Sequence, residues 1–247
     1  MGLGDEIMAL GRAEALFEET GRKVSIVNEI GRPRSHDAWK FNPAWDHRST
    51  QTLMDCAAYR PYIKYWQNKK IIFNLEHKPR AGRMYLTDQE IEFNKLRGDY
   101  IIIAPYLKDQ GSKNKAWSEE NYIKLIQKLD MPVYQLVASN SDRVIEGAKS
   151  YYTPHFRLAA SVISGARLVI TNEGGTHHMA ASMGKKAVVF FGSFIPPSVT
   201  GYDFHENIGI DTDQGYCGEW EYCEHCAKAK KQITVEYFKQ RVERALQ

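Results

Sequence analysis

The sequence predicts an α/β fold with mostly parallel sheets. Two observations carry this. Apolar runs of strand length alternate with amphipathic stretches of helix length along most of the 247 residues. The clearest unit is Leu168–Tyr202, LVITNEGGTHHMAASMGKKAVVFFGSFIPPSVTGY. There an apolar run (Leu168–Thr171) enters a glycine-containing turn (Asn172–Thr176), a small-residue helix (His177–Met183) follows, and a second apolar run (Ala187–Phe191) closes the unit. Strand, turn, helix and strand in that order build a parallel sheet, because parallel partners need a long crossover between them.

The elements follow in order. Asp5–Thr20 reads as an amphipathic helix with Ile7, Leu10, Ala13 (or Glu14) and Phe17 near one face, closed by Gly21. Lys23–Val27 reads as a short strand. Gly31–Arg48, rich in Pro, Gly, His and charge, reads as a long surface loop. Thr50–Trp66 reads as helical stretches broken by Pro61, and Lys70–Asn74 as a strand. Thr87–Arg97 has capping chemistry at its start and ends at Gly98, which makes it a helix. A second unit begins near Asp99. Tyr100–Ala104 is a buried-type strand and Asp109–Lys115 a polar loop. Ser118, Glu119 and Glu120 cap a helix running to about Leu129. Val133–Ala138 is a strand, Pro154–Gly165 carries a helix, and Ile208–Ile210 is a short apolar piece. Thr234–Leu246 closes as a capped amphipathic helix. There is no internal repeat and no low-complexity stretch.

Composition excludes several classes. Apolar residues make up 43% and charged residues 26%, an ordinary balance for a soluble globular chain. No run of 18 or more apolar residues exists, so no membrane span is expected. The N-terminus carries acids early and lacks a basic n-region, so it does not read as a secretory signal. Gly2 is followed by Glu6 where a myristoylation motif wants Ser or Thr. The expected compartment is the cytoplasm, with the inner membrane surface as an alternative. The net charge of +3 does not by itself argue for nucleic acid. Basic residues do concentrate in the N-terminal third, interleaved with aromatics such as Trp45, Tyr62, Tyr65 and Trp66. That mixture suits an anionic or sugar-rich acceptor, and equally a solvated face over an aromatic core.

Five local motifs carry chemistry, each beside a plainer reading. The turn Asn172–His177 opens a helix, and Gly174 and Gly175 let the backbone approach a ligand. Thr176 and the amides up to His177 suit phosphate oxygens. An ordinary strand-to-helix turn explains the pattern as well. Gly2-Leu3-Gly4-Asp5 places an acid at a helix start, where Asp is also a favoured cap. Lys113–Glu120 places Lys115 just before a capped helix, within reach of a phosphate or simply in a solvated basic loop. Cys217, Cys223 and Cys226 with His225 offer zinc-type ligands, and Cys56 a distant fourth cysteine. Only one C-x2-C pair exists, and His225 lies awkwardly between two cysteines, so no metal is expected there. His177 and His178 are adjacent and point about 100° apart on a helix, so they are not expected to share a metal. Without an export signal, disulfides are not expected either.

Three segments, GLGDEIMALGRAEAL, KNKAWSEENYIKLI and ISGARLVITNEGGTHHMAASMGKKAVVFFG, resemble in this order the ADP-heptose:lipopolysaccharide heptosyltransferases of glycosyltransferase family 9. The resemblance covers about the first fifteen residues and most of 100–247. It implies a GT-B-like fold: two Rossmann-like domains, here with the N-terminal one reduced. The implied division is 1–98 on the acceptor side, 99–232 for the nucleotide-sugar donor, and 233–247 as a helix crossing back. It also implies an inverting, metal-independent transfer from a nucleoside-diphosphate sugar to a lipopolysaccharide or other glycan hydroxyl, with no cofactor. Asp5 matches the family's catalytic aspartate, and Lys115 the lysine that contacts the donor diphosphate. Gly4, Asn172, Glu173, Gly174, Gly175, Thr176 and His177 complete the implied donor site. Asn172 stands where the family usually has Asp and Glu173 where it has Thr, which points to a donor other than ADP-heptose. The family's G-D turn follows an apolar strand, whereas Met1 stands directly before Gly2. That strand is either lacking from the sheet or encoded upstream. Two other readings stay open: transfer to a modified base in DNA, and a nucleotide- or sugar-binding module without catalysis. A zinc-dependent interaction module is a fourth.

Overall fold

The computed structural model describes residues 2–56, 59–107, 111–139, 141–213 and 215–247. The N-terminal half is built around one long helix, α1 (Leu3–Thr20), whose chain turns out through Gly21 in the left-handed conformation (φ 69°). Strand β1 (Ser25–Val27) pairs in parallel with β2 (Thr52–Met54). Strands β3 (Ile63–Gln67) and β4 (Lys70–Phe73) form an antiparallel hairpin. The hairpin corrects the helical reading of Thr50–Trp66. Its turn residues Asn68 and Lys69 both take positive φ (47° and 66°). Such a turn matches the twist of the flanking strands and locks their pairing. The partner strand, not local helix propensity, decides the conformation there.

The segment Gly31–Arg48 is a loop with one 3-10 turn at Asp37–Trp39, yet it is not confined to the surface. Trp39 is fully buried, and its indole N–H donates to the Glu6 carbonyl (2.9 Å). Helix α2 (Asp88–Phe93) starts as expected, with Thr87 and Glu90 in a reciprocal capping box, but stops at Asn94.

The second half holds a six-stranded, all-parallel sheet. Strand β5 (Ile101–Ala104) leads through a 3-10 turn at Lys113–Lys115 to α3 (Glu119–Ile126), capped by Ser118. Strands β6 (Val133–Val137) and β7 (Lys149–Tyr152), helix α4 (Phe156–Gly165) and strand β8 (Leu168–Asn172) follow. Helix α5 (Gly175–Ser182) starts two residues earlier than expected. Then come β9 (Ala187–Gly192), α6 (Pro197–Thr200), β10 (Glu206–Gly209), α7 (Glu224–Lys230) and α8 (Val235–Leu246). The polar strand β7 lies on one edge and β10 on the other. Half-exposed β7 carries too little apolar signal to be read from sequence. The polar loop read at Asp109–Lys115 lies partly outside the described residues.

The sheet order is β10-β9-β8-β5-β6-β7. Successive residues point to opposite faces, so each central strand feeds two cores. Ile102, Val169, Val189 and Phe191 pack in one cluster with α1, α4 and α5 residues such as Leu10, Val162 and Met179. Ile101, Ile103, Ile170 and Phe190 pack in the other with Tyr122, Leu125, Phe238 and Val242 of α3 and α8. Burial on both faces explains why these strands read as unbroken apolar runs. Helix α8 was expected to cross back onto the N-terminal domain. Its buried side chains, Val235, Phe238, Val242 and Ala245, instead sit in the cluster formed by residues 101–246. Phe238 stacks on Trp117 with ring centroids 4.4 Å apart.

One buried arginine joins the two halves. Arg157 of α4 is 3% exposed and makes a two-point ion pair with Glu90. It also donates to the carbonyls of Asp37 (2.7 Å) and Tyr85 (2.6 Å). Burial of a guanidinium is tolerated only with this degree of pairing.

Candidate active site

The order of the sheet reverses between β5 and β8. In open α/β sheets a crevice forms outside the carboxyl ends of strands at such a point, and ligands bind there. The Asn172–His177 turn sits at that place, and so does the loop carrying Lys115.

Gly174 adopts φ 153°, ψ −161° with no atom near a would-be Cβ. This backbone region is essentially reserved for glycine. Its N–H donates to Nδ1 of His177 (2.9 Å), so the imidazole carries its proton on Nε2, which donates to the Thr200 carbonyl (2.9 Å). Burial pushes the His177 pKa below its ordinary value, outweighing the pull of Glu173. His177 is therefore a neutral internal brace that holds the turn open. Gly174, Gly175 and Thr176 are half-buried. The Gly174 amide is taken by His177, but Gly175 and Thr176, the first residues of α5, have amides without intrahelical acceptors, and the helix dipole adds positive potential.

Asn172 is engaged elsewhere. Its Oδ1 accepts from the Trp117 amide (3.1 Å) and the Tyr122 hydroxyl (2.8 Å), and its Nδ2 donates to the Pro105 carbonyl (2.6 Å). The side chain staples β8 to β5 and α3. Glu173 pairs with Lys115 through Oε2 and accepts from Thr200 through Oε1 (3.3 Å). Burial acts to raise the Glu173 pKa, but the Lys115 ammonium, helped by the hydrogen bonds from Lys115 and Thr200, holds it below the ordinary carboxylate value. Lys115 thus faces the crevice with its charge already partnered.

The start of α1 meets the start of α5. A Cβ on Gly4 would lie 2.4 Å from Cδ2 of His178, and one on Gly175 would lie 3.5 Å from Leu3 Cβ. Only glycine at position 4 allows this approach. His178 cannot yield easily, because it is 2% exposed and its Nδ1 bonds the Tyr202 hydroxyl (2.6 Å). Burial holds its pKa well below the ordinary value, so it too is neutral. Glu173, His177 and His178 bring ligand-type atoms within 4.8 Å of one another. Lys115, Gly174 and Thr200 already occupy the groups a cation would need.

Asp5 stands in the first turn of α1. Its Oδ1 accepts from the Tyr62 hydroxyl (2.8 Å), its Oδ2 from the Gly2 amide (3.3 Å), and Arg60 stands 4.0 Å away. Burial first, and then the Asp5 charge, drive the Tyr62 pKa upward, so Tyr62 stays a neutral donor. Beside Asp5, Arg34 bridges the buried carboxylates of Glu6 (3.1 Å) and Asp55 (2.6 Å). From sequence, Arg60 and Tyr62 belong only to the basic and aromatic N-terminal third, and Thr200 and Tyr202 only to the end of the Leu168–Tyr202 unit. No local spacing marks any of them as a partner of Asp5, Glu173 or the histidines.

The cysteine segment departs from expectation. Cys217, Cys223, His225 and Cys226 each bring one ligand atom within 4.8 Å of the others. The spacing argument against a shared site fails because Cys217 arrives on an extended segment beside β4, while the other three lie at the start of α7. Cys56 is buried apart from this group. Nδ1 of His225 is buried without a hydrogen-bond partner, whereas its Nε2 bonds Thr212 (2.5 Å). An orphaned imidazole nitrogen beside three sulfurs fits the donor set of a tetrahedral transition-metal ion.

Comparison with known proteins agrees with this architecture. A family model described as glycosyltransferase family 9 (heptosyltransferase) matches residues 74–234. Gly4 and Asp5 lie outside that match, while residues 74–98, which resembled nothing by sequence, lie inside it. No curated protein matches the chain. Among solved structures, the chain is similar to ADP-heptose lipopolysaccharide heptosyltransferase II of E. coli, at 15% identity and a TM-score of 0.50. That alignment covers 67% of this chain and 54% of the enzyme, so the chain spans about half of the enzyme's length. A family 9 glycosyl transferase from Veillonella parvula is similar at 13% identity and a TM-score of 0.63, over 100% of this chain and 95% of that one. The iron-containing dodecameric glycosyltransferase TibC of enterotoxigenic E. coli is similar at 11% identity and a TM-score of 0.68, over 99% and 74%. At these identities the likeness concerns the fold.

Proposed function

We propose that this chain, which belongs to glycosyltransferase family 9 (heptosyltransferase), transfers a sugar with inversion from a nucleoside-diphosphate sugar to a hydroxyl of a glycan acceptor. The observation that carries the reading is the meeting of the α1 and α5 N-termini at the sheet's switch point. That meeting supports a site in which Asp5, in the first turn of α1, works beside the anion-friendly turn that opens α5.

The donor diphosphate lies against Gly174, Gly175 and Thr176, flanked by Lys115. Its charge grows as the glycosidic bond breaks, so fixed amides and the ammonium stabilise the transition state more than the ground state. Asp5 takes the proton of the attacking hydroxyl, with Tyr62 holding one oxygen and fixing the carboxylate's orientation. Residues 1–98 form the acceptor side and 99–232 the donor side. A panel of nucleotide sugars should raise the melting temperature by several degrees for the true donor, since binding to the folded chain stabilises it by mass action. Lys115→Ala should remove most of that shift. A panel that moves nothing, or an unchanged shift in the variant, would overturn this assignment.

A second reading concerns Cys217, Cys223, His225 and Cys226, favoured by their convergence and by the orphaned His225 nitrogen. They would hold a structural zinc or iron ion. TibC, similar in fold, is described as iron-containing. When bound, the ion would knit the Cys217–Glu221 segment to α7, leaving the transfer chemistry to Asp5 and Lys115. Elemental analysis of purified protein should find a stoichiometric metal that Cys226→Ser loses, together with several degrees of thermal stability. Metal-free protein of unchanged stability would remove the site.

A further inference from the structure

We infer that Trp66 and Trp220 form a stacking platform for a saccharide unit of the acceptor, away from the reacting hydroxyl. The inference rests on the transferase reading and extends it to the acceptor's class: a chain of sugars, rather than a single small alcohol or a nucleic acid.

The platform is two indoles from distant parts of the chain. Trp66 is on β3, and Trp220 follows the cysteine turn. Their ring centroids are 6.0 Å apart and tilted by 58°. Both are large and apolar, yet 49% and 41% exposed. Trp220 rests edge-on against buried Phe194, which rests on Phe73. The rings are therefore anchored from below and open above. Two contiguous exposed indoles form the kind of apolar surface patch that often marks a binding site.

The surroundings are built to hold them. Lys69 sits in the left-handed region (φ 66°), unfavourable for a residue with a side chain. The hairpin turn sets this conformation, and the segment carrying Trp220 clasps it. The Trp220 amide donates to the Lys69 carbonyl (3.3 Å), and Glu221 pairs with the Lys69 ammonium (2.6 Å). Gly218 follows the same logic. A Cβ there would lie 2.0 Å from the Ile71 carbonyl oxygen, and its φ is 64°. The close approach gives the Ile71 amide a bond to the Gly218 carbonyl (2.8 Å). The hairpin and the cysteine segment thus act as one support for the pair.

Two observations select the occupant. The first is continuity with the site. Tyr62, which bonds Asp5, directly precedes β3, and Trp66 lies four residues on, roughly 13 Å at the rise of a strand. An acceptor reaching from Asp5 to the indoles has to be longer than one sugar ring. The second is charge. Lys69 is paired with Glu221, and Glu219 lies opposite Lys70 in the backbone register, so acids accompany the lysines beside the indoles, unlike the cation-rich surface that a polyanion requires. Apolar ring faces beside paired charges suit the C–H face of a sugar, with its hydroxyls bonded at the rim.

The test uses tryptophan fluorescence with soluble hexose-, heptose- and N-acetylhexosamine-based oligosaccharides, and with a single-stranded oligonucleotide as the rival probe. At least one oligosaccharide should quench the unaltered protein saturably. Trp66→Ala and Trp220→Ala should each weaken that binding about tenfold or more, measured by calorimetry, while Trp66→Phe retains most of it. Donor-induced thermal stabilisation should be the same in all variants, which also confirms that they fold. Oligosaccharide binding that survives both alanine substitutions overturns the proposal. So does a protein that binds no oligosaccharide of the set, or one that binds the oligonucleotide instead with steep salt dependence. Failure of the transferase reading shows separately, as the absence of any nucleotide-sugar stabilisation in the unaltered chain.

Discussion

Asp5→Asn is expected to keep the nucleotide and lose the transfer. Asparagine has the same shape, and its Oδ1 can still accept from the Tyr62 hydroxyl, 2.8 Å away in the unaltered chain. The amides proposed to hold the donor belong to α5 and do not change. An amide cannot take the proton of an attacking hydroxyl, so the general-base contribution disappears, typically about 10²- to 10⁴-fold in rate. Steady-state transfer with the donor found by thermal screening gives the rate, and calorimetry gives nucleotide affinity. A loss in kcat with nucleotide Kd unchanged is the expected pair of results. Transfer within a few-fold of the unaltered chain would exclude Asp5 as the base. A parallel loss of nucleotide affinity would mean that Asp5 shapes the donor site instead.

Glu173→Gln should have the opposite signature: a less stable protein that binds nucleotide more tightly. Glu173 and Lys115 are an ion pair with side chains only 8% and 17% exposed. Removing the acid leaves a poorly solvated ammonium, a change that costs several kcal/mol at fully buried sites and less here because Lys115 retains some water. The released ammonium then faces the donor diphosphate without a competitor. Nucleoside diphosphate should therefore bind about tenfold tighter and produce a larger thermal shift than in the unaltered chain. The pH dependence follows from the same pair. Glu173 has its pKa lowered in the folded chain from an ordinary value of 4.5. Its stabilising contribution is therefore present above that ordinary value and is lost as pH falls through the lower, folded one. The unaltered protein should lose stability on acidification below about pH 4.5, and the glutamine variant should lose less over that window. Equal nucleotide affinity in the two proteins would show that Glu173 does not hold Lys115 back.

The parts of the fold legible in sequence are those where burial is two-sided or a cap is local. Ile101–Ala104, Leu168–Asn172 and Ala187–Gly192 read as strands because both faces are covered. Thr87, Ser118 and Thr234 mark helix starts because each cap bonds an amide three residues on. Thr52–Met54 and Ile63–Gln67 were misread because their conformation is set by partners and not by periodicity. The site divides in the same way. Gly4, Asp5, Lys115 and the Gly174–His177 turn are contiguous motifs, and the fold sets Gly4 against His178 and Lys115 against Glu173. Tyr62 is 57 residues from the carboxylate it bonds, and the Trp66–Trp220 pair spans most of the chain. Asn172 and His177 carry the right residue types, yet hydrogen bonding turns both inward, a fate that depends on Pro105, Trp117 and Thr200.

The clasp made by Arg157 has a consequence for motion. Ile7 and Leu10 from one half share a core with Val162, Val169 and Phe191 from the other, and Arg157 bolts Glu90, Asp37 and Tyr85 across the same seam. A hinge between the halves would have to expose that core and strip a guanidinium of its partners at once. Packing and pairing therefore oppose such a hinge together, and neither can give way without the other.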